Sequence, residues 1–370
     1  MAVCNSLRVL TLIAATLCCA GTTLKSVGAS TKPPAPLTSK QRLAAIRRAQ
    51  VWTPTEVGAM DMQIGPQGKN VFVADETVAC DYTKHPLGGS TPKFWCTVAP
   101  DDVVKVRYGD RNGEVYGQVA AARLLWALGF GANRIYPVKT SCHGCPWTPY
   151  TTPAREAGQP DTILFDPATI DLKMEGKTLE TRVDEGWAWK ELDLVDQAAG
   201  GAPVEHRDAL KLLAVLIQHT DTKSSNQRLL CLDKHESAAG AADPDDSCAH
   251  PFMMIEDVGV TFGRANAFNT DVEGSVNFKN WSHMPVWKDA ERPGCVGNLP
   301  GSVGGTFKNP RIGEAGRKFL ADLLVQLSDT QLHDLFEVAR FPRRDPSATV
   351  DDWVHAFKQK RDEIVNRTCS

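Results

Sequence analysis

The chain of 370 residues carries 41 basic and 44 acidic side chains, a formal net charge of −3 and a pI near 6.3. It has no basic tract, which argues against nucleic acid as an obligate partner, and no internal repeat. Its length exceeds one small domain and suits a two-lobed enzyme.

Arg8 precedes an apolar run from Val9 to Ala20 and then small and polar residues. That is the shape of a secretory signal rather than of a spanning helix, and it predicts a cleaved segment over 1–29 and an exported, periplasmic or secreted, product. Cleavage is expected after Ala20 or Ala29. Cys18 and Cys19 offer a lipid-anchor alternative without a good Leu-x-Gly/Ala box before them. Residues 30–54, opening on Thr31-Lys-Pro-Pro-Ala-Pro36, read as a linker. Past it no transmembrane span is expected.

Of eleven cysteines, Cys4, Cys18 and Cys19 leave with the signal, and the eight that remain can pair in an oxidising compartment. Cys231 and Cys248 flank a polar insertion and are expected to clip its base. Cys80 with Cys96 reads as a hairpin staple, and Cys295 with Cys369 is what remains. Cys142-His-Gly-Cys145 reads as a local disulfide or as parts of two others. Pro146 stands where a haem attachment needs His, and no second pair completes a zinc site. A thiol oxidoreductase is kept as a rival reading.

Short strands are predicted over 71–73, 77–82, 94–98 and 103–108. Between the second and third, Gly88, Gly89, Ser90 and Thr91 form a turn that can bring backbone N–H groups toward phosphate oxygens. Lys105 alternates with Val104 and Val106; it is either a half-exposed strand lysine or a phosphate ligand. The spacing predicts a helix over 113–128 on which Glu114 shares a stripe with Gln118, Ala121 and Leu125. By its place Glu114 is a first-turn residue complementing the helix dipole. A strand is expected over 134–139. Residues 148–182 are taken as the crossing between the two lobes. Trp187 and Trp189 suggest a packed corner, with base stacking as the alternative.

A buried helix over about 204–218 then delivers His219-Thr-Asp-Thr-Lys-Ser-Ser-Asn226, and strands over 227–232 and 251–255 form a hairpin that ends at Asp257-Val-Gly259. An acid, a base and an amide in one turn, with a second carboxylate after the hairpin, are what phosphoryl transfer needs. One carboxylate sits by the acceptor hydroxyl, a cation by the transferred phosphate, and oxygen ligands hold a divalent metal. Asp221 is the candidate for the first, Lys223 for the second, and Asn226 with Asp257 for the third. Three amphipathic helices, over 313–326, 329–339 and 350–365, close the chain.

The order of these residues resembles the protein-kinase-like superfamily, whose catalytic loop reads His-Arg-Asp, four residues, Asn, followed later by Asp-Phe-Gly. Thr220 replaces the Arg and Val258 the Phe. Asp257-Val-Gly-Val-Thr-Phe262 and the early Glu114 look like HipA-type and phosphoinositide-4-kinase-like members. The resemblance implies an α+β, bilobal fold, with a β-rich N-lobe and crossing over 55–182 and a mainly helical C-lobe over 183–370. It also implies ATP and Mg²⁺ or Mn²⁺ as cofactors, Gly88, Gly89, Ser90, Lys105 and Glu114 at the nucleotide, with Glu114 as the partner of Lys105, and an acceptor the sequence does not name. A kinase-shaped binding protein without catalysis, and AMP transfer in place of phosphoryl transfer, are the alternatives.

Overall fold

The structure, a computed structural model, describes residues 36–98, 102–233, 248–263, 274–288, 294–301 and 305–369. The expected signal over 1–29, most of the polar insertion and part of the segment after Phe262 lie outside them. The described chain mixes α and β structure.

Helix α1 (Ser39–Arg48) opens on a capping box between Thr38 and Gln41 and buries Arg42, Ala45 and Ile46. These residues fall in the stretch read as a linker, and that expectation is corrected: only a narrow apolar face marks the helix. Arg42 forks onto both oxygens of Glu191, fixing α1 to a turn that follows the tryptophan corner.

Five strands close into a barrel in the order β1 (Thr77–Thr83), β2 (Lys93–Thr97), β3 (Val103–Tyr108), β5 (Thr162–Leu172), β4 (Arg134–His143). Residues 71–73 add no strand. Alternation sorts the side chains of β3: Val104 and Val106 point into the barrel with Phe94, Cys96, Phe165 and Ile170, and Lys105 and Arg107 share the other face. Register then sets Lys93 opposite Arg107, Trp95 opposite Lys105, and Lys105 opposite Asp171. One face of the barrel therefore gathers charge.

Between β3 and β4 runs α2 (Glu114–Ala127), which is buried on all sides apart from Trp126. A helix apolar nearly all round belongs between layers, and α2 packs against the barrel on one side and the C-terminal helices on the other. Residues 173–176 lead from β5 to a small sheet of β6 (Lys177–Thr178), β7 (Gln227–Cys231) and β8 (Pro251–Ile255). The chain passes from barrel to sheet there.

Helix α3 (Val204–Leu216) forms the middle of the larger core. Around it lie α4 (Phe278–His283), α5 (Glu314–Leu324), α6 (Asp329–Val338), α7 (Phe341–Arg344) and α8 (Val350–Val365). Helices α6 and α8 begin with capping boxes at Ser328 and Thr349. Trp187 and Trp189 are buried with ring centroids 5.2 Å apart, so they form a packed corner. Cys80–Cys96, Cys142–Cys145, Cys231–Cys248 and Cys295–Cys369 are disulfide-bonded. Cys142 and Cys145 are fully buried, which denies them the access a redox-active pair requires. Among the described residues no helix is long and apolar enough to cross a membrane; this and the disulfides are compatible with export.

Candidate active site

Helix α3 ends in a Schellman arrangement. The His219 N–H reaches the Ala214 carbonyl at 2.9 Å, the Gln218 N–H reaches Val215 at 3.0 Å, and Gln218 takes a left-handed φ of 51°. The reversal sends the chain out of the core, so Asp221, Lys223 and Asn226 fall on one short loop. Lys223 Nζ lies 3.1 Å from Asp221 Oδ2. The Asn226 amide nitrogen donates to the Asp221 carbonyl at 2.7 Å, while the Asn226 carbonyl accepts the N–H groups of Glu256 and Asp257 at 2.9 and 3.0 Å. Those two bonds tie the loop to the end of β8 and set Asn226 beside Asp257.

Across from them stands the charged face of the barrel. Arg107 is buried and makes four kinds of contact: Nε to Glu114 at 2.9 Å, one terminal nitrogen to Gln118 at 2.6 Å and Asp171 at 3.1 Å, the other to Asp257 at 2.7 Å. Lys105 Nζ pairs with Asp171 at 2.7 Å. The expected Lys105–Glu114 pair is therefore corrected: Glu114 bonds Arg107 and the Thr91 hydroxyl, the latter at 2.8 Å. Arg107 lies two residues further along the same strand face, next to the start of α2, and reaches the glutamate first.

Gly259 shows how tightly the parts fit. A Cβ there would come within 2.7 Å of Glu114 Cγ, so the third residue of Asp257-Val-Gly259 must be glycine for α2 to approach. A cavity of about 460 Å³ lies between the two walls, and every residue selected from the sequence lines it: Gly88, Gly89, Ser90, Lys105 and Glu114 on one side, Asp221, Lys223, Asn226 and Asp257 on the other. Sequence reasoning missed Arg107, Asp171 and Lys93. The period of two along β3 is the available signal, because it forces Lys105 and Arg107 onto one face.

Electrostatics follows the geometry. Burial alone would raise the Asp257 carboxyl, but Arg107, Lys105 and the Gly259 N–H outweigh it and hold the carboxyl far below the usual range. Burial likewise opposes the Arg107 charge, and Asp257, Glu114 and Asp171 more than reverse it. Two side-chain oxygens of the loop and hairpin keep acceptor capacity. With its NH₂ group given to Asp221, Asn226 turns Oδ1 free of any donor among the described residues, and Asp257 Oδ1 accepts only the Gly259 N–H at 3.2 Å. An amide and a carboxylate oxygen are the donor types that could hold a hard divalent cation.

No protein-family model matches the sequence, and no curated protein matches it. Among solved structures, the crystal structure of a Helicobacter pylori proinflammatory kinase, CtkA, is similar at 11% identity with a TM-score of 0.38, over 79% of this chain and 95% of that one.

Directly beneath the loop, burial pushes the His219 imidazole down to about 4, against the opposing pull of Asp221 and Asp257. Neither ring nitrogen has a hydrogen-bond partner among the described residues. The folded protein therefore keeps His219 neutral where the unfolded chain, titrating near 6.5, takes up a proton. The unfolded state binds more protons below that pH, so stability falls as the pH drops from 6.5 toward 4, by about 3 kcal/mol at full effect. His219→Phe is expected to flatten this part of the profile in urea titrations at pH 7 and pH 4.5. An unchanged acid slope would assign it to other groups.

Proposed function

We propose that this protein is an exported, atypical kinase-like phosphotransferase that uses ATP with Mg²⁺ or Mn²⁺. The observation that carries the reading is the pairing of two walls. Asp221, Lys223, Asn226 and Asp257 come from one short loop and the adjoining hairpin, and Lys105, Arg107 and Glu114 face them across one cavity. In this reading the barrel with α2 is the N-lobe, 173–176 the crossing, and the rest the helical C-lobe.

Each residue has a distinct task. Asp221 orients and deprotonates the acceptor hydroxyl, as a carboxylate within hydrogen-bond reach of it would. Lys223, 3.1 Å from Asp221, offers positive charge to the transferred phosphate. Lys105 and the turn of Gly88, Gly89 and Ser90 hold the remaining phosphates. Glu114 acts through Arg107, which it fixes, and Arg107 in turn orients Asp257. Asn226 and Asp257 would hold the divalent cation, which when bound draws phosphate oxygens together and reduces their charge. The acceptor is a hydroxyl-bearing molecule with access to Asp221.

The test is a thermal shift of protein with disulfides intact, titrated with ATP in the presence and absence of Mg²⁺ or Mn²⁺. Ligand at about a hundred times its Kd stabilises by roughly 2.7 kcal/mol, a shift of several degrees. Asp257→Ala and Lys105→Ala are expected to abolish the metal-dependent part. No shift at millimolar nucleotide would leave a kinase-shaped binding protein, with no part in catalysis for Asp221 or Lys223.

A further inference from the structure

The charges around the cavity do not balance uniformly. Lys105 faces Asp171, Arg107 faces Glu114, Asp171 and Asp257, Lys223 faces Asp221, and Arg228 faces Glu256 and Glu185. Lys93 differs. It is only 7% exposed, lines the same cavity, and makes no ion pair or hydrogen bond through its ammonium among the described residues. Burial, and next the neighbouring Arg107, push its pKa below the ordinary lysine value against the opposing pull of Glu114 and Asp257.

Glu114 and Asp257 act on this ammonium only through space, with no direct bond among the described residues, so on the cavity wall it keeps the capacity to donate to an anion. The position of Lys93 says which anion. It begins β2, directly opposite Arg107, and its Nζ lies 2.8 Å from where a Cβ on Gly89 would stand. The charge therefore sits under the Gly88-Gly89-Ser90 turn. That turn is braced from both sides: the Tyr150 hydroxyl donates to the Gly89 carbonyl at 2.7 Å, and Thr91 donates to Glu114. Gly89 adopts a φ of 78°, so a side chain there would be strained as well as crowded against the ammonium. A braced turn over a cavity-lining ammonium that bonds no carboxylate among the described residues is a pocket for a compact, multiply charged oxyanion.

We infer that Lys93 is an oligophosphate-binding residue, whose ammonium takes a phosphate group of the ligand beneath the Gly88-Gly89-Ser90 turn. The inference rests on the reading of the cavity as a nucleoside triphosphate site, and it adds a phosphate ligand on β2 to the one on β3. Two effects of opposite sign follow. Without ligand Lys93 is a liability to the fold, and with ligand it is a source of affinity.

The experiment compares wild type, Lys93→Met and Lys93→Arg by thermal unfolding and by calorimetric titration with tripolyphosphate, with ATP plus Mg²⁺, and with adenosine. The expected result is a ligand-free Tm for Lys93→Met equal to or above that of wild type. Its binding of tripolyphosphate and of ATP should be weaker by about tenfold to a hundredfold, the worth of a charged hydrogen bond. Lys93→Arg should recover part of the loss, and adenosine should bind none of the three proteins measurably more tightly than another. If Lys93→Met binds ATP and tripolyphosphate as wild type does, the inference is overturned and the nucleotide reading stands. If tripolyphosphate binds through Lys93 but ATP with Mg²⁺ does not bind, the inference stands and the nucleotide reading falls. If wild type binds neither, both are overturned.

Discussion

Arg107→Met is expected to destabilise the protein by about 3–5 kcal/mol, the cost of leaving buried carboxylates without their cation. Three carboxylates depend on this one guanidinium, and two of them, Glu114 and Asp171, have side chains 11% and 2% exposed. Methionine fills similar space but leaves them facing one another, with Lys105 bound to Asp171 and Lys93 acting only through space on Glu114 and Asp257. Arg107→Lys keeps the charge and loses the fork, because a single ammonium cannot reach Glu114, Gln118 and Asp257 together. It should fall between wild type and Arg107→Met. Urea unfolding followed by tryptophan fluorescence measures the series. A change below about 1 kcal/mol for Arg107→Met would mean that the carboxylates are hydrated or protonated and that the fork does not hold the walls together.

Asp221→Asn is expected to lower the rate of ATP consumption by about 10²–10⁴-fold, the usual contribution of a positioned base, with nucleotide binding retained. The substitution is nearly isosteric and removes a carboxylate that is 28% exposed and, among the described residues, ion-paired with Lys223 alone. Folding should therefore be untouched, so the metal-dependent thermal shift serves as the internal control. Release of ADP gives the rate, and the mass gained by self-labelled protein separates transfer of one phosphate from transfer of a whole nucleotide. Activity within a factor of three of wild type would remove Asp221 from the chemistry.

The elements legible in the sequence are those whose own residues dictate them. Helix α2 ends where Gly129 stops it, α8 starts at its Thr349 cap, and β7 and β8 are short apolar runs. The loop carrying Asp221, Lys223 and Asn226 is legible for the same reason, since it leaves an apolar helix at a definite point. Strand β5 lies in the range taken as a crossing, where Asp166-Pro167 interrupts the apolar run. In the structure it is one strand, with a register shift against β4 at that place that accommodates the proline. Helix α1 is hidden by its Pro-rich approach and basic surface. The partner of Glu114 is not legible at all. Two cations share one face of β3, and only the register of β3 against β5 assigns Lys105 to Asp171 and leaves Arg107 for the glutamate.

Arg107 joins groups 7, 64 and 150 residues away along the chain. A partly folded chain, with the barrel formed but α2 undocked or the Asp257 loop unplaced, holds the same residues without the alignment that makes them a site. The guanidinium thus reports the meeting of three segments distant along the chain: its full set of partners exists only when the barrel, α2 and the Asp257 loop are all in place.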